Sequence, residues 1–247
     1  MAKQGEIEYL DRLGPEGLYH ARGKPFSDPD CGRYLMEMGV LLSLLPPPPG
    51  RLLDLGCGTG WTSYLFARRG YEVVGQDLAP SMIACALQNK HDAGLDNLEF
   101  ITSDYESLYF DDLFDCAVFY DSLHHAVDEK AALQSAYRSL RDGGVCVTAE
   151  PGVGHSKSRD SIDHMQRFGV TEKDMPPGRI IRLAKQVGFR SFTVYPHMRH
   201  LRAFTYPGAS QGLFRRLGRS NSLLASLGLA FVSMIYKHFN GIVVMVK

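Results

Sequence analysis

A short apolar run that ends in three glycines, LLDLGCGTGW over residues 52–61, restricts the folds open to this chain more than any other feature. Leu52–Leu55 reads as a buried strand and the residues after Gly60 as a helix. Glycine permits positive φ and leaves no Cβ between the backbone and a ligand. The helix behind the turn offers N–H groups without intrahelical partners. Asp77 ends the next strand, YEVVGQD, 21 residues after Gly56. In a βαβ unit a carboxylate about 20 residues past the first glycine reaches the ribose hydroxyls of an adenosine ligand. The alternative reading of Asp77 is a cap for the helix that begins near Pro80.

Two details narrow the ligand. The dinucleotide fingerprint G-x-G-x-x-G needs a third glycine for close helix–strand packing, and this chain has Trp61 there. A phosphate-cradling Gly-Lys-Ser/Thr turn is absent as well. The pattern therefore favours an adenosine that carries no pyrophosphate.

The remaining pattern alternates. Strands are expected at 51–55, 71–76, 98–102, 115–120 and 144–149, with helices at 60–69, 80–91 and about 128–141. This βαβα order predicts an α/β, doubly wound, Rossmann-like parallel sheet with helices on both faces. The run Pro46–Pro49 cannot continue a helix and separates residues 1–49, an N-terminal arm, from a core of 50–247. The arm holds a helix within 27–45, capped by Ser27 or Asp28 with Pro29 in its first turn. Residues 151–176 read as a polar loop or lid. A helix follows at 177–187, then strands at 190–196 and 241–247. The 44 residues from 197 to 240 are too many for a simple connection and are expected to form a helical cap or an interface, with a homodimer contact as one use.

Composition sets bounds on partners. Lys+Arg and Asp+Glu both number 27 in 247 residues, so no net charge draws the chain to DNA, RNA or an anionic membrane. The longest apolar run, Leu223–Ile235, has 13 residues, short of the roughly 18 that a membrane span needs. Five scattered cysteines without a CxxC pair and a polar N-terminus fit a reduced, cytoplasmic setting.

The stretch LLDLGCGTGWTSYLFARRGYEVVGQDLAPSMIACA resembles the first two motifs of class I S-adenosylmethionine-dependent methyltransferases, in their small-molecule, type 11-like branch. The likeness spans about residues 51–196, and GIVVMVK resembles that family's final antiparallel strand. It implies a seven-stranded sheet, six strands parallel and one antiparallel, and S-adenosyl-L-methionine as cofactor. Asp54, Gly56, Cys57 and Gly58 would run along the amino-acid part of the cofactor. Asp77 would bind the ribose, and Leu78 and Met82 would pack on the adenine. ITSDYESL resembles the next motif, so Asp104 would accept from the adenine amino group and the Tyr105 N–H would reach the ring. In FDCAVFYDSLHHAVD, Tyr120, Asp121 and Ser122 would lie near the sulfonium, with His124 and His125 just beyond. Bland alternatives stand beside these: Asp104 as a turn cap, Leu78 and Met82 as plain core, Glu150 and Pro151 as strand-end punctuation.

Methyl transfer from a sulfonium needs an in-line nucleophile held about 3–3.5 Å away in a dry site. A base helps when the acceptor carries a proton. His125 is the first candidate and His124 the second, because histidine titrates near neutral pH and both follow the fourth strand. Either could instead shape the pocket or cap a helix. His155 and His164 form a second group, and Tyr19 and His20 of the arm could close over the sulfonium and the substrate. No metal site is expected, since no His/Asp cluster stands at ligand spacing. Arg199, Arg202, Arg215, Arg216 and Arg219 read as a solvated face, with an anionic partner as the alternative. The expected function is methyl transfer to O, N or C of a small metabolite. The alternatives are an RNA or protein methyltransferase and a non-catalytic cofactor-binding module.

Overall fold

The computed structural model describes residues 3–198, 230–231 and 233–247. Two helices lead, α1 (Gln4–Gly23) and α2 (Cys31–Leu44). The core follows as β1 (Arg51–Leu55), α3 (Trp61–Arg69), β2 (Glu72–Asp77), α4 (Pro80–Ala93), β3 (Leu98–Thr102) and β4 (Phe114–Tyr120). It continues through α5 (Glu129–Ser139), β5 (Leu140–Ala149), α6 (Arg159–Phe168), α7 (Pro177–Val187), β6 (Ser191–Pro196) and β7 (Gly241–Val246).

The seven strands lie in the order β3-β2-β1-β4-β5-β7-β6. β1 to β5 pair in parallel, and β7 runs antiparallel to both β5 and β6. The sheet thus has six strands in one direction and one reversed, as the resemblance implies. Strand side chains alternate between faces, and the burial follows that period. Leu53, Leu55 and Phe119 pack with α5 and α7, while Leu52, Cys116 and Val118 pack with α2 and α3. The strand order reverses between β1 and β4. In open α/β sheets that switch point opens a crevice at the carboxyl ends of the strands.

Three local expectations need correction. Residues 151–176 are not loop throughout: they contain a 3-10 turn at His155–Lys157 and the helix α6. The Ser158 side chain caps α6 by accepting from the Ser161 N–H. Sparse apolar residues hid this helix, because its buried contacts are few and lie against α1, where Tyr9 meets Phe168 edge-on. α2 starts at Cys31, and neither Ser27 nor Asp28 caps it; Asp28 Oδ1 instead accepts from the Asp30 N–H in the turn before it. β5 begins at Leu140, directly after α5, four residues earlier than expected. The arginines of the insert, and most of the expected cap and dimer contact at 197–240, fall outside the described residues. Among the described residues no helix is long and apolar enough to cross a membrane.

Gly75 shows how tightly α3 sits on the sheet. A Cβ there would stand 2.6 Å from the Phe100 ring and 2.8 Å from Ser63 Oγ. The Gly75→Ala variant is expected to lose about 1–3 kcal/mol of stability by overpacking, read as a lower melting midpoint with the donor absent.

Candidate active site

The glycine turn is held from the neighbouring strand. The Gly56 and Cys57 N–H groups donate to the Gln76 carbonyl at 2.8 and 2.9 Å. Asp77 spans the crevice: Oδ2 accepts from the Gly58 N–H at 2.8 Å and Oδ1 from the Ala79 N–H at 2.9 Å. It thereby braces the turn that leads into α4, but no side chain caps that helix, so the alternative reading of Asp77 as a helix cap is not what the structure has. Gly56 and Gly58 adopt φ of 72° and 56°, where side chains are strained. A Cβ on Gly56 would collide with Ser122 Cβ at 2.5 Å, whereas one on Gly58 would meet only Met82 Sδ, at 4.0 Å. Gly58 thus presents bare backbone to a cavity.

That cavity, about 660 Å³, runs along the switch point. Cys57, Asp77, Leu78, Met82, Asp104 and Tyr105 line it from the carboxyl ends of β1, β2 and β3 and the start of α4. Tyr120 and Asp121 line it from the end of β4, Trp61 from α3, and His20, Lys24 and Tyr34 from the arm. His124 and His125 line it from the turn after β4, His155, His164 and Glu172 from the 151–176 segment, and Tyr9 from α1. Asp121 takes φ 47°, the one non-glycine residue with positive φ among the described residues. The Tyr120 hydroxyl donates to the buried Glu37 carboxylate, which Arg33 also holds at 3.0 Å. The tyrosine ring is thereby fixed against the cavity wall.

Two predicted residues stand elsewhere. Asp54 is 1% exposed and does not line the cavity; its Oδ2 accepts from the Thr62 and Ser63 hydroxyls, each at 2.6 Å. It pins the start of α3 to β1. Tyr19 is 80% exposed and also lies off the cavity, because α1 turns its neighbour His20 inward.

The arm lies across the mouth. Lys3 Nζ is 2.5 Å from Asp104 Oδ2 and 2.9 Å from Glu106 Oε1. Asp104 Oδ1 accepts from the Glu106 N–H at 2.9 Å, the turn-cap role. Glu6 Oε1 accepts from the Thr171 N–H at 2.6 Å, and Thr59 Oγ1 donates to the Ala21 carbonyl at 2.7 Å.

Glu150 is far more than strand-end punctuation. Its buried carboxylate accepts from the N–H groups of Ser122, Leu123 and His124 at 3.1, 2.9 and 3.2 Å. His124 Nδ1 stands 2.7 Å from the same carboxylate. Burial and the neighbouring His125 charge push His124 below the usual imidazole range, against the pull of Glu150. His125 goes the other way. Burial disfavours its charge, but the hydrogen bond and charge of Glu6, with the charge of Glu172 and the Thr171 carbonyl, raise it to about 9. An imidazole that keeps its proton to that pH is a hydrogen-bond donor at neutrality, and it must lose that proton before it can act as a base.

Glu172, which no motif flagged, gathers the histidines. Its Oε2 is 2.5 Å from His155 Nε2 and 3.6 Å from His124 Nε2, and its Oε1 is 3.9 Å from His164 Nδ1. Burial would raise this carboxyl, yet the His155 hydrogen bond and the imidazole charges hold it below its ordinary value. One nitrogen each from His124 and His125 and one Glu172 oxygen lie within 4.8 Å of one another. Spacing along the chain hid this set, because the turn after β4 and the segment after α6 meet only in the fold.

Two outcomes test these assignments. Burial pushes the Asp54 carboxyl up to about 6, while the Ser63 and Thr62 hydroxyls pull it down. The folded state then binds a proton that the unfolded chain, near 3.9, does not. Wild type should therefore gain stability relative to Asp54→Asn as pH falls from 7 to 5, by about 1 kcal/mol or more, in paired thermal melts. Glu150→Ala orphans three N–H groups and should cost about 2–4 kcal/mol by denaturant titration.

Comparison with known proteins bears on the same segments. A family model described as a methyltransferase domain matches residues 53–148, from β1 to β5. The sarcosine/dimethylglycine N-methyltransferase of Halorhodospira halochloris is 30% identical over 194 residues, covering 75% of this chain and 67% of that one. A ubiquinone/menaquinone biosynthesis C-methyltransferase of Pectobacterium carotovorum is 35% identical over 105 residues, 40% of this chain and 42% of the relative. The chain thus spans about two fifths of the length of that relative. Among solved structures, phosphoethanolamine N-methyltransferase 2 of Haemonchus contortus, in complex with S-adenosyl-L-methionine, aligns with a TM-score of 0.68 at 21% identity. The alignment covers 99% of this chain and 59% of that one, and shows the shared fold. With the domain model lying on the glycine turn and its flanking strands, and a relative matched over two thirds of its length, the chain belongs to the class I S-adenosylmethionine-dependent methyltransferases.

Proposed function

We propose that this protein is an enzyme that transfers a methyl group from S-adenosylmethionine to an O, N or C nucleophile of a small molecule. One observation carries the proposal: a single cavity joins the Gly58 and Asp77 turn to the His124, His125 and Glu172 wall, with α1 across it. The donor fits the first end. Gly58 leaves room for its amino-acid part, Asp77 offers a carboxylate to the ribose, and Leu78 and Met82 offer apolar contact to the adenine. Asp104 would serve the adenine amino group and now pairs with Lys3, so donor entry and the arm contact compete for one carboxylate. When bound, the donor supplies a methyl group on a sulfonium, already activated for displacement.

The chain's own residues would then position and desolvate. Tyr120, fixed through Glu37, and Asp121 stand where the reacting centre falls. His124, His125, His155 and Glu172 form the wall that meets the acceptor, and the arm excludes water. A volume of about 660 Å³ for donor and acceptor together supports a small-molecule acceptor over a macromolecule. The two curated relatives are named as N- and C-methyltransferases, so the reaction is framed by nucleophile class.

Labelled donor, incubated with the protein and a metabolite mixture, should pass label into a low-mass product. Asp77→Ala should weaken donor binding at least tenfold by calorimetry while the circular dichroism spectrum is retained. Unchanged donor affinity in that variant would remove the assignment.

A further inference from the structure

We propose that the acceptor end of the cavity binds a divalent transition-metal ion, held by His124, His125 and Glu172, with a fourth position open. This deepens the reading of that wall as the acceptor subsite and rests on it. The three donor atoms already converge within 4.8 Å. Donors about 2.0–2.2 Å from a tetrahedral ion stand roughly 3.3–3.6 Å apart, so small side-chain rotations complete the set.

The outer contacts favour an ion over a plain ion-pair cluster. Metal-binding histidines commonly donate their second ring N–H to a carboxylate or a backbone carbonyl, which fixes tautomer and orientation. Both partners occur here. His124 Nδ1 stands 2.7 Å from Glu150, and His125 Nδ1 stands 2.6 Å from the Thr171 carbonyl. Glu150 is itself locked by three backbone N–H groups. Each Nε2 is then left as the nitrogen for the metal, that of His125 once the ion displaces its proton. That of His124 faces Glu172 at 3.6 Å, and that of His125 has no hydrogen-bond partner among the described residues. A simple pairing of Glu172 with His155 at 2.5 Å accounts for neither of these nitrogens.

The donor chemistry selects the ion. Imidazole nitrogens with one carboxylate suit zinc and its first-row neighbours, whereas magnesium and calcium take mostly oxygen. Such a site with an open position accepts an outside ligand and lowers the pKa of a bound hydroxyl. The acceptor class narrows accordingly to a molecule with a ligating hydroxyl. Its O–H bond breaks with the proton passing to solvent. The oxygen lone pair forms the new bond to the methyl carbon, and the methyl–sulfur bond breaks to leave a neutral thioether.

The test uses tag-free, chelator-treated full chain titrated with Zn²⁺ alone, followed by calorimetry and elemental analysis. One ion per chain is expected. Glu172→Gln and His124→Ala should weaken it at least tenfold and Glu150→Gln about tenfold, while His91→Ala, on the exposed surface, leaves it unchanged. Wild-type protein gives a readout independent of how the variants fold: Zn²⁺ should shift the imidazole NMR signals of His124 and His125. Absence of saturable binding, equal affinity in a folded Glu172→Gln, or shifts confined to other histidines would overturn the metal site. Donor binding is measured separately. Intact donor affinity without zinc binding rejects only the metal, and zinc binding without donor affinity rejects only the methyl-transfer reading.

Discussion

Glu150 sits at the end of β5 and builds the end of β4. Its buried carboxylate receives three consecutive backbone N–H groups and faces one imidazole nitrogen. A buried carboxylate is costly unless each lone pair is met, and here the meeting groups belong to one tight turn. The turn cannot relax without orphaning a charge. The same turn sets Ser122 against Gly56 and fixes His124 in the cavity wall. One side chain from one strand thus disciplines the neighbouring strand's exit and, through it, the floor of the glycine turn. Asp77 plays the corresponding part on the other side, where its carboxylate ties Gly58 to the start of α4.

The cavity is consequently shared property of distant segments. The sheet supplies the floor, the turn after β4 one wall, and the segment after α6 the opposing carboxylate. α1 completes it from outside the sheet altogether. This division suits a methyltransferase, where the donor's demands are constant and the acceptor's vary. On the proposed reading, the donor end would be built on strand termini, and the acceptor end on the turn after β4, the 151–176 segment and the arm.

Much of the donor end was legible in the sequence because it is local. Strand, glycine turn, helix and the carboxylate 21 residues on fall within one βαβ unit, and their spacing encodes their geometry. The parallel sheet followed from alternation, and the reversed β7 only from the family resemblance. Asp54 stands off the cavity because the same motif contains residues that face it and residues that brace the turn, and sequence does not separate them. Glu150, Glu172, Glu6 and Glu37 were illegible for a different reason. A buried acid looks like a surface acid until the fold shows what it pairs with. His125 illustrates the cost: its placement suggests a base, while Glu6, 119 positions earlier, raises its pKa.

The hold of α1 on the core sets a clock. Of its 20 residues only Gly5 and Leu10 are buried, and beside the Tyr9–Phe168 ring contact its attachments are polar: Lys3, just before it, to Asp104 and Glu106, Glu6 to Thr171, Arg12 to the Phe168 carbonyl. A segment so attached opens without unfolding the sheet beneath it. Residence time in the cavity then belongs to the arm. Ionic strength, which screens ion pairs in proportion to their exposure, would act on the Lys3 pairs more than on the backbone contacts of Glu6 and Arg12, and would leave the melting of the sheet almost untouched.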